Sequence, residues 1–325
     1  MSEPIRLSKR RIRKSSKPNG RKPPFGKILC WLILFVLIAS FVRSFVRGEL
    51  YTDFRELDAA SSSSETAVFD RTAPEQAQKI PSADLLSNYH DTMYKRICSG
   101  LSKYRSTIYL FDLHQLDVEQ IGAIFTEVLT DHPEFFWTRD VKITGIHFAF
   151  ASFITLEVNS LCEPSALPTM ALQMNTVTDY IVQQAEQYET DREKALYVHD
   201  YLIMNCAYDE TTYDLQDTES LSYTAYGCLV DQSAVCGGYA EAYQLILNRL
   251  GIPCGVITGT AVNESGSGYH AWNYIQLGDE YYMVDTTWDD PLGYTGPYMH
   301  DYFCLTEEQM GKDHFPETGW PLEKH

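Results

Sequence analysis

The chain has 325 residues, of which 44% are apolar and 13% aromatic. That is ample for packed cores and excludes a mainly disordered chain. The net charge of −18 is divided unevenly: residues 1–47 hold twelve Lys and Arg against Glu3, and the remainder carries −29. So acidic a remainder excludes sequence-independent nucleic-acid binding, which needs cations against phosphates, and predicts repulsion from anionic lipid.

Residues 1–27 read as a basic cytoplasmic tail, with ten Lys and Arg between Arg6 and Lys27. Charge then disappears from Ile28 to Val42. If Arg43 snorkels, the span reaches Val46, about 28 Å at helical rise and close to the ~30 Å hydrocarbon core. Residues 28–46 are therefore expected to be a transmembrane signal anchor. The basic flank places the N-terminus in the cytoplasm and everything after the span outside, in a single-pass membrane protein. A cleaved signal peptide is the rival reading, opposed by the long basic region and the lack of a clear A-x-A site.

Residues 47–82 read as an extracytoplasmic linker, since SSSSET (61–66) and its surroundings show no period and few large apolar groups. A smaller α/β region is expected at 83–165. It opens with a helix over 83–100 that carries Leu85, Leu86, Tyr89, Met93 and Ile97 near one face. A buried strand follows at 107–111, then a helix from Val118 to Thr130 that Pro133 brings to an end. Phe135–Trp137, Lys142–Phe150 and Ser152–Asn159 read as strands, the last two antiparallel neighbours.

The main domain is expected at 166–325. Its first helix, 166–188, is read as broken near Pro168. Its second opens at Thr190-x-x-Glu193, a capping box, and runs towards Cys206. From Cys236 to Leu250 the apolar residues Tyr239, Ala240, Tyr243, Ile246, Leu247 and Leu250 recur at helical spacing, and Gly251-Ile-Pro253 stops the helix. Cys236 thus sits at a helix N-terminus, where unpaired amides and the positive end of the dipole favour a thiolate. Gly237 and Gly238 beside it cost helix stability and imply a close approach to the backbone.

Residues 254–260 alternate as a strand. His270–Leu277 and Tyr281–Asp285 around the turn Gly278-Asp279-Glu280 read as an antiparallel hairpin. His270 and Asp285 then lie at the same end of that hairpin, so a carboxylate can orient an imidazole that faces a helix-terminal thiol. This is the nucleophile, base and orienter arrangement of acyl transfer.

The segments AVCGGYAEAYQLILNRLGIPC, YHAWNYIQL and YYMVDTTWDDP resemble the three motifs of the bacterial transglutaminase-like superfamily, cysteine enzymes with a papain-like core. DHPEFFW, YVHDYL and HDYFCLT look like its membrane-anchored members. The resemblance implies an α+β fold, a nucleophile helix packed on an antiparallel sheet, with Cys236 as nucleophile, His270 as general base and acid, and Asp285 holding the His tautomer. It also implies an oxyanion hole built partly from a side chain upstream of the cysteine, for which Tyr226 and Gln232 are both candidates, beside the Cys236 amide.

An extracytoplasmic enzyme acting on a protein or peptide substrate in the cell envelope follows. Its thioester is resolved by water or by an amine, and no cofactor is expected. A non-catalytic envelope-binding module on the same fold, and a disulfide-bonded domain with Cys236 paired, are the alternatives. Outside the span lie Cys98, Cys162, Cys206, Cys228, Cys236, Cys254 and Cys304, an odd number, so at least one thiol is free if the others pair. Their spacing lacks a paired C-x-x-C, and no metal is expected. Trp272 and Trp288 either wall the cleft or pack in the core. Asp289, Asp290, His300, Asp301 and His314 read as a solvated acidic loop rather than a Ca²⁺ site, and His199 as a packed or surface histidine.

Overall fold

The computed structural model describes residues 63–70, 87–112, 116–148, 151–215, 217–263, 266–290 and 299–320. The expected cytoplasmic tail (1–27) and signal anchor (28–46) lie outside these residues. Among the described residues no helix is long and apolar enough to cross a membrane.

The first layer is an antiparallel sheet ordered β1-β3-β4-β2, formed by β1 (Ser63–Asp70), β2 (Thr107–Asp112), β3 (Thr138–Phe148) and β4 (Ala151–Ser160). Helices α1 (Ser87–Leu101) and α2 (Val118–Asp131) cover it. In α2, Ile121, Ile124, Phe125, Val128 and Leu129 form the buried stripe expected from their spacing, and Asp117 with Gln120 closes a capping box at its start. β3 and β4 pair as neighbours along Thr138–Phe148, as read from the sequence.

Three expectations are corrected here. Ser63–Asp70, assigned to the linker, is a strand that pairs with β3 from Ser63↔His147 to Asp70↔Asp140. Its backbone supplies the ladder, and Phe69 supplies the anchor by packing where a Cβ on Gly122 would meet its ring at 2.1 Å. Phe135–Trp137 is not a strand: Pro133 opens a 3-10 turn over Pro133–Phe135, and Phe136 and Trp137 follow it into the core, 0% and 1% exposed. Pro168 does not break a helix either. It lies in the first turn of α3 (Leu167–Ala185), where its missing N–H costs no helical hydrogen bond.

Helix α4 (Asp191–Asn205) starts at the expected capping box, with Thr190 accepting from the Glu193 amide and Glu193 accepting from the Thr190 amide. A two-residue strand β5 (Ala207–Tyr208) and a short helix α5 (Glu210–Leu215) follow, and β5 runs parallel to β6 (Ser233–Ala234). Helix α6 (Cys236–Arg249) ends as its sequence predicts. Gly251 takes the left-handed φ of 77° and the Ile252 amide reaches back to the Leu247 carbonyl, a Schellman closure.

The second sheet is antiparallel, ordered β10-β7-β8-β9, with β7 (Cys254–Asn263), β8 (Gly266–Leu277), β9 (Glu280–Val284) and, after the short helix α7 (Glu307–Met310), β10 (His314–Pro316). One continuous cluster of buried side chains runs from Ile97, Ile143 and Trp137 through Ile181 and Val198 to Tyr243, Ile246 and Ile275. The boundary drawn at 165/166 therefore crosses a shared core.

Candidate active site

Cys236 is the first residue of α6, and its N-cap Val235 provides no side-chain hydrogen bond. Many helices place an Asp, Ser or Thr against the orphan amides at that end; this one has no such side chain. Gly238 does have the close neighbour that its sequence context implied, but that neighbour is the chain itself. A Cβ there would lie 2.5 Å from the Ser222 carbonyl oxygen. The Val235 amide donates to the same oxygen, so Gly238 lets the helix start seat against residues 222–224.

Asn273, buried in β8, ties the sheet to this helix by donating to the carbonyls of Ala240 and Gly255. On the other face of β8, two-residue alternation puts His270 and Trp272 side by side, their rings 6.1 Å apart. Asp285 follows the last residue of β9. The hairpin thus brings His270 Nε2 to 2.6 Å from Asp285 Oδ2. Cys236 lies close enough to raise the pKa of the same imidazole, whose Nε2 is committed to Asp285.

Asp285 is buried, and burial alone would raise its pKa. The charge and hydrogen bond of His270, followed by those of His314, overcome that and hold it well below the usual carboxylate range. Burial likewise disfavours a charged His270, but the Asp285 charge and hydrogen bond, then the Cys236 contact, push it up to about 10. The balance of these effects favours an imidazolium between a carboxylate and a sulfur.

Cys236, His270 and Asp285 are therefore brought together, and Cys236 is a free thiol, as are the other six cysteines among the described residues. Neither upstream candidate joins them. Tyr226 stacks on Phe136 at 4.8 Å and donates to Gln173 Oε1 at 3.0 Å, which places its hydroxyl on α3. Gln232 is exposed, with a left-handed φ of 57°, and its carbonyl accepts from the Ala207 amide. Trp272 belongs to the core at 1% exposure, whereas Trp288 lines an open groove of about 630 Å³ beside His270.

Tyr208, which the sequence reading missed, lines that groove too. Its partner in the β5–β6 pairing is Ala234, two residues before Cys236. Burial, then the nearby Cys236, raise the pKa of its phenol, which keeps the O–H as a donor. A two-residue parallel strand leaves no period in a sequence, so only the pairing reveals it.

The residues weighed as a Ca²⁺ loop disperse. Asp290 accepts from Tyr239, Asp289 from the Tyr302 amide, His300 meets Asp200 at 2.7 Å and His314 meets Asp285 at 3.0 Å. His199 is fully buried between Asp200 and Asp289, which outweigh its burial and raise its pKa. The ring and carboxylate atoms of His199, Asp200 and His300 gather within 4.8 Å, but they are already engaged with one another.

Residues 177–286 match the family model of the Transglutaminase-like superfamily. The chain carries a transglutaminase-like domain. It is similar to the Kyphoscoliosis peptidase of Mus musculus, 25% identical over 171 residues, covering 48% of this chain and 25% of the relative. The Homo sapiens Kyphoscoliosis peptidase is 26% identical over 154 residues, covering 43% and 23%. The chain thus spans about a quarter of the length of these relatives. A crystal structure of a TGase is similar at 15% identity and a TM-score of 0.33, over 68% of this chain and 61% of that one.

Proposed function

We propose that this transglutaminase-like domain is a cysteine acyl-transfer enzyme in which Cys236 attacks the carbonyl of a peptide or carboxamide bond. The observation that carries the reading is the single imidazole, His270, bonded to the Asp285 carboxylate at 2.6 Å and close to Cys236 at the start of α6. The sulfur passes its proton to His270 and forms a C–S bond, and the tetrahedral oxyanion that results takes its hydrogen bonds from the Cys236 amide and the Tyr208 hydroxyl. His270 gives its proton to the departing amine as the C–N bond breaks, leaving a thioester on Cys236. His270 then accepts a proton from the second nucleophile, and the acyl group leaves the sulfur. The name of the mouse and human relatives favours water in that step, making this chain a peptidase. A primary amine in place of water gives a crosslink.

Mass spectrometry of the full chain incubated with a glutamine-containing peptide, with and without a primary amine, tests this. Acyl adducts on Cys236 that are absent from Cys236→Ala support the enzyme, and the released product tells water from amine. A native, reduced protein that never acquires an adduct supports the non-catalytic binding module instead. The proposed location, outside a membrane on the anchor at 28–46, rests on the charge pattern around that span. External protease on intact cells is expected to remove residues 48–325, and their survival would overturn it.

A further inference from the structure

We propose that His314 is a positioning residue for the same reaction, fixing Asp285 and sharing its charge so that His270 remains a usable acid. This rests on the enzymatic reading above. His314 lies outside the segment that matches the superfamily, on the edge strand β10, where it pairs with Ala261 of β7. It is 0% exposed. Its Nε2 lies 3.0 Å from Asp285 Oδ2, the oxygen that also holds His270, and its Nδ1 lies 2.7 Å from Asp313 Oδ1.

The Asp285 carboxylate is saturated. Oδ1 accepts from the amides of Thr287 at 2.9 Å and Trp288 at 3.2 Å, which fixes the plane of the group. Oδ2 is left to the two rings. With Asp313 Oδ1 at its Nδ1, His314 presents Nε2 to Asp285 Oδ2 as a second hydrogen-bond partner beside His270. Aromatic neighbours hold the ring in place: Trp288 lies 4.4 Å away by ring centroid, Trp272 4.9 Å and Tyr302 5.5 Å. Tyr302 in turn donates to Asp313 Oδ2 at 2.9 Å, holding that carboxylate in place.

The charged and titratable groups around the ring are Asp313 on its own segment, His270 on β8, Asp285 after β9, and Tyr302, whose amide is held by Asp289. A carboxylate facing His270 alone would hold the proton on that ring more tightly. Shared with a second ring, it holds the proton less tightly, which favours transfer to the departing amine.

The test is the rate of Cys236 alkylation by iodoacetamide from pH 4 to 11 on the full chain, comparing wild type, His314→Ala and His314→Gln, with thermal melts to confirm folding. Gln keeps an N–H for Asp285, and it carries the test if Ala does not fold. His314→Ala is expected to slow alkylation at neutral pH about tenfold, with Gln recovering to within about threefold of wild type. In His314→Ala the alkaline step, set by His270, moves upward by up to about one pH unit, and Gln, which restores a donor to Asp285, brings it back towards wild type. Profiles that superimpose on wild type, or an unmoved step with no recovery by Gln, would reduce His314 to packing and overturn the proposal. Slow alkylation of wild type overturns the enzymatic reading itself, and this inference with it. Fast wild-type alkylation with unaltered variants overturns this inference alone.

Discussion

The two four-stranded antiparallel sheets are built alike and filled differently. The β1-β3-β4-β2 sheet buries Ile143, Ile154 and Leu156, with Trp137 beside it, and Asp112, its one buried carboxylate among the described residues, serves a local turn by accepting from the Leu116 amide. The β10-β7-β8-β9 sheet and its connections bury His270, His314, Asp285 and Asp289. Taking charged groups out of water costs several kcal/mol each unless they are paired and fully hydrogen-bonded. The second sheet meets that condition at Asp285 with two rings and two backbone amides. The first sheet is a stability element, and the second spends stability on an ordered proton network.

The sharpest way to break this comparison is Asp285→Asn. With the buried charge gone, His270 loses the group that holds its tautomer and its charge. Cys236 alkylation and any acyl transfer are expected to fall about a thousandfold. Leaving the buried His270 facing a neutral amide should also cost about 3–5 kcal/mol in urea unfolding. A variant that retained wild-type reactivity would show that the buried polar cluster is only structural. In the first sheet Ile143→Ala is the counterpart. It should cost about 2–5 kcal/mol through the cavity it leaves, while the folded protein alkylates with an unchanged pH profile. A shifted profile would mean that the two sheets are coupled.

Stability against pH sharpens the same contrast. The pKa of His270 rises from about 6.5 unfolded to about 10 in the folded chain. The native state therefore binds the extra proton between those values. Its contribution is present in full below the unfolded value and is lost as pH rises through about 10. Urea midpoints of wild type are expected to fall over that interval more steeply than those of His270→Ala. Parallel curves would show that the ring is not charged in the native protein.

Much of this second sheet was legible because its signals are local. A helix that starts at Cys236 and stops at Gly251-Ile-Pro253, followed by two strands about a tight turn, fixes where Cys236, His270 and Asp285 meet. What escaped the sequence depends on distant pairing. β1 hides beside a serine tract because its ladder is backbone and its one large buried side chain among the described residues is Phe69. Tyr208 reaches the groove through a two-residue strand, and His314 arrives from an edge strand 29 residues after the carboxylate it touches. Phe135-Phe-Trp shows the reverse failure, since a short apolar run fits a strand or a buried turn equally and Pro133 decides between them.

The mildest test lies on α4, between the two sheets. Thr190 accepts from the Glu193 amide at 3.2 Å, and Glu193 Oε2 accepts from the Thr190 amide at 3.0 Å and from its hydroxyl at 2.8 Å. Those bonds hold the Glu193 pKa below the usual carboxylate value. Thr190→Ala removes the cap and should cost about 1 kcal/mol in urea unfolding. Because His199 on the same helix is bonded to Asp289, loosening the first turn tests whether α4 is a rigid support for the Asp285–Asp290 segment. With only the cap lost, alkylation of Cys236 keeps its rate and pH profile. A change in that profile larger than the stability loss would place α4 within the network rather than beneath it.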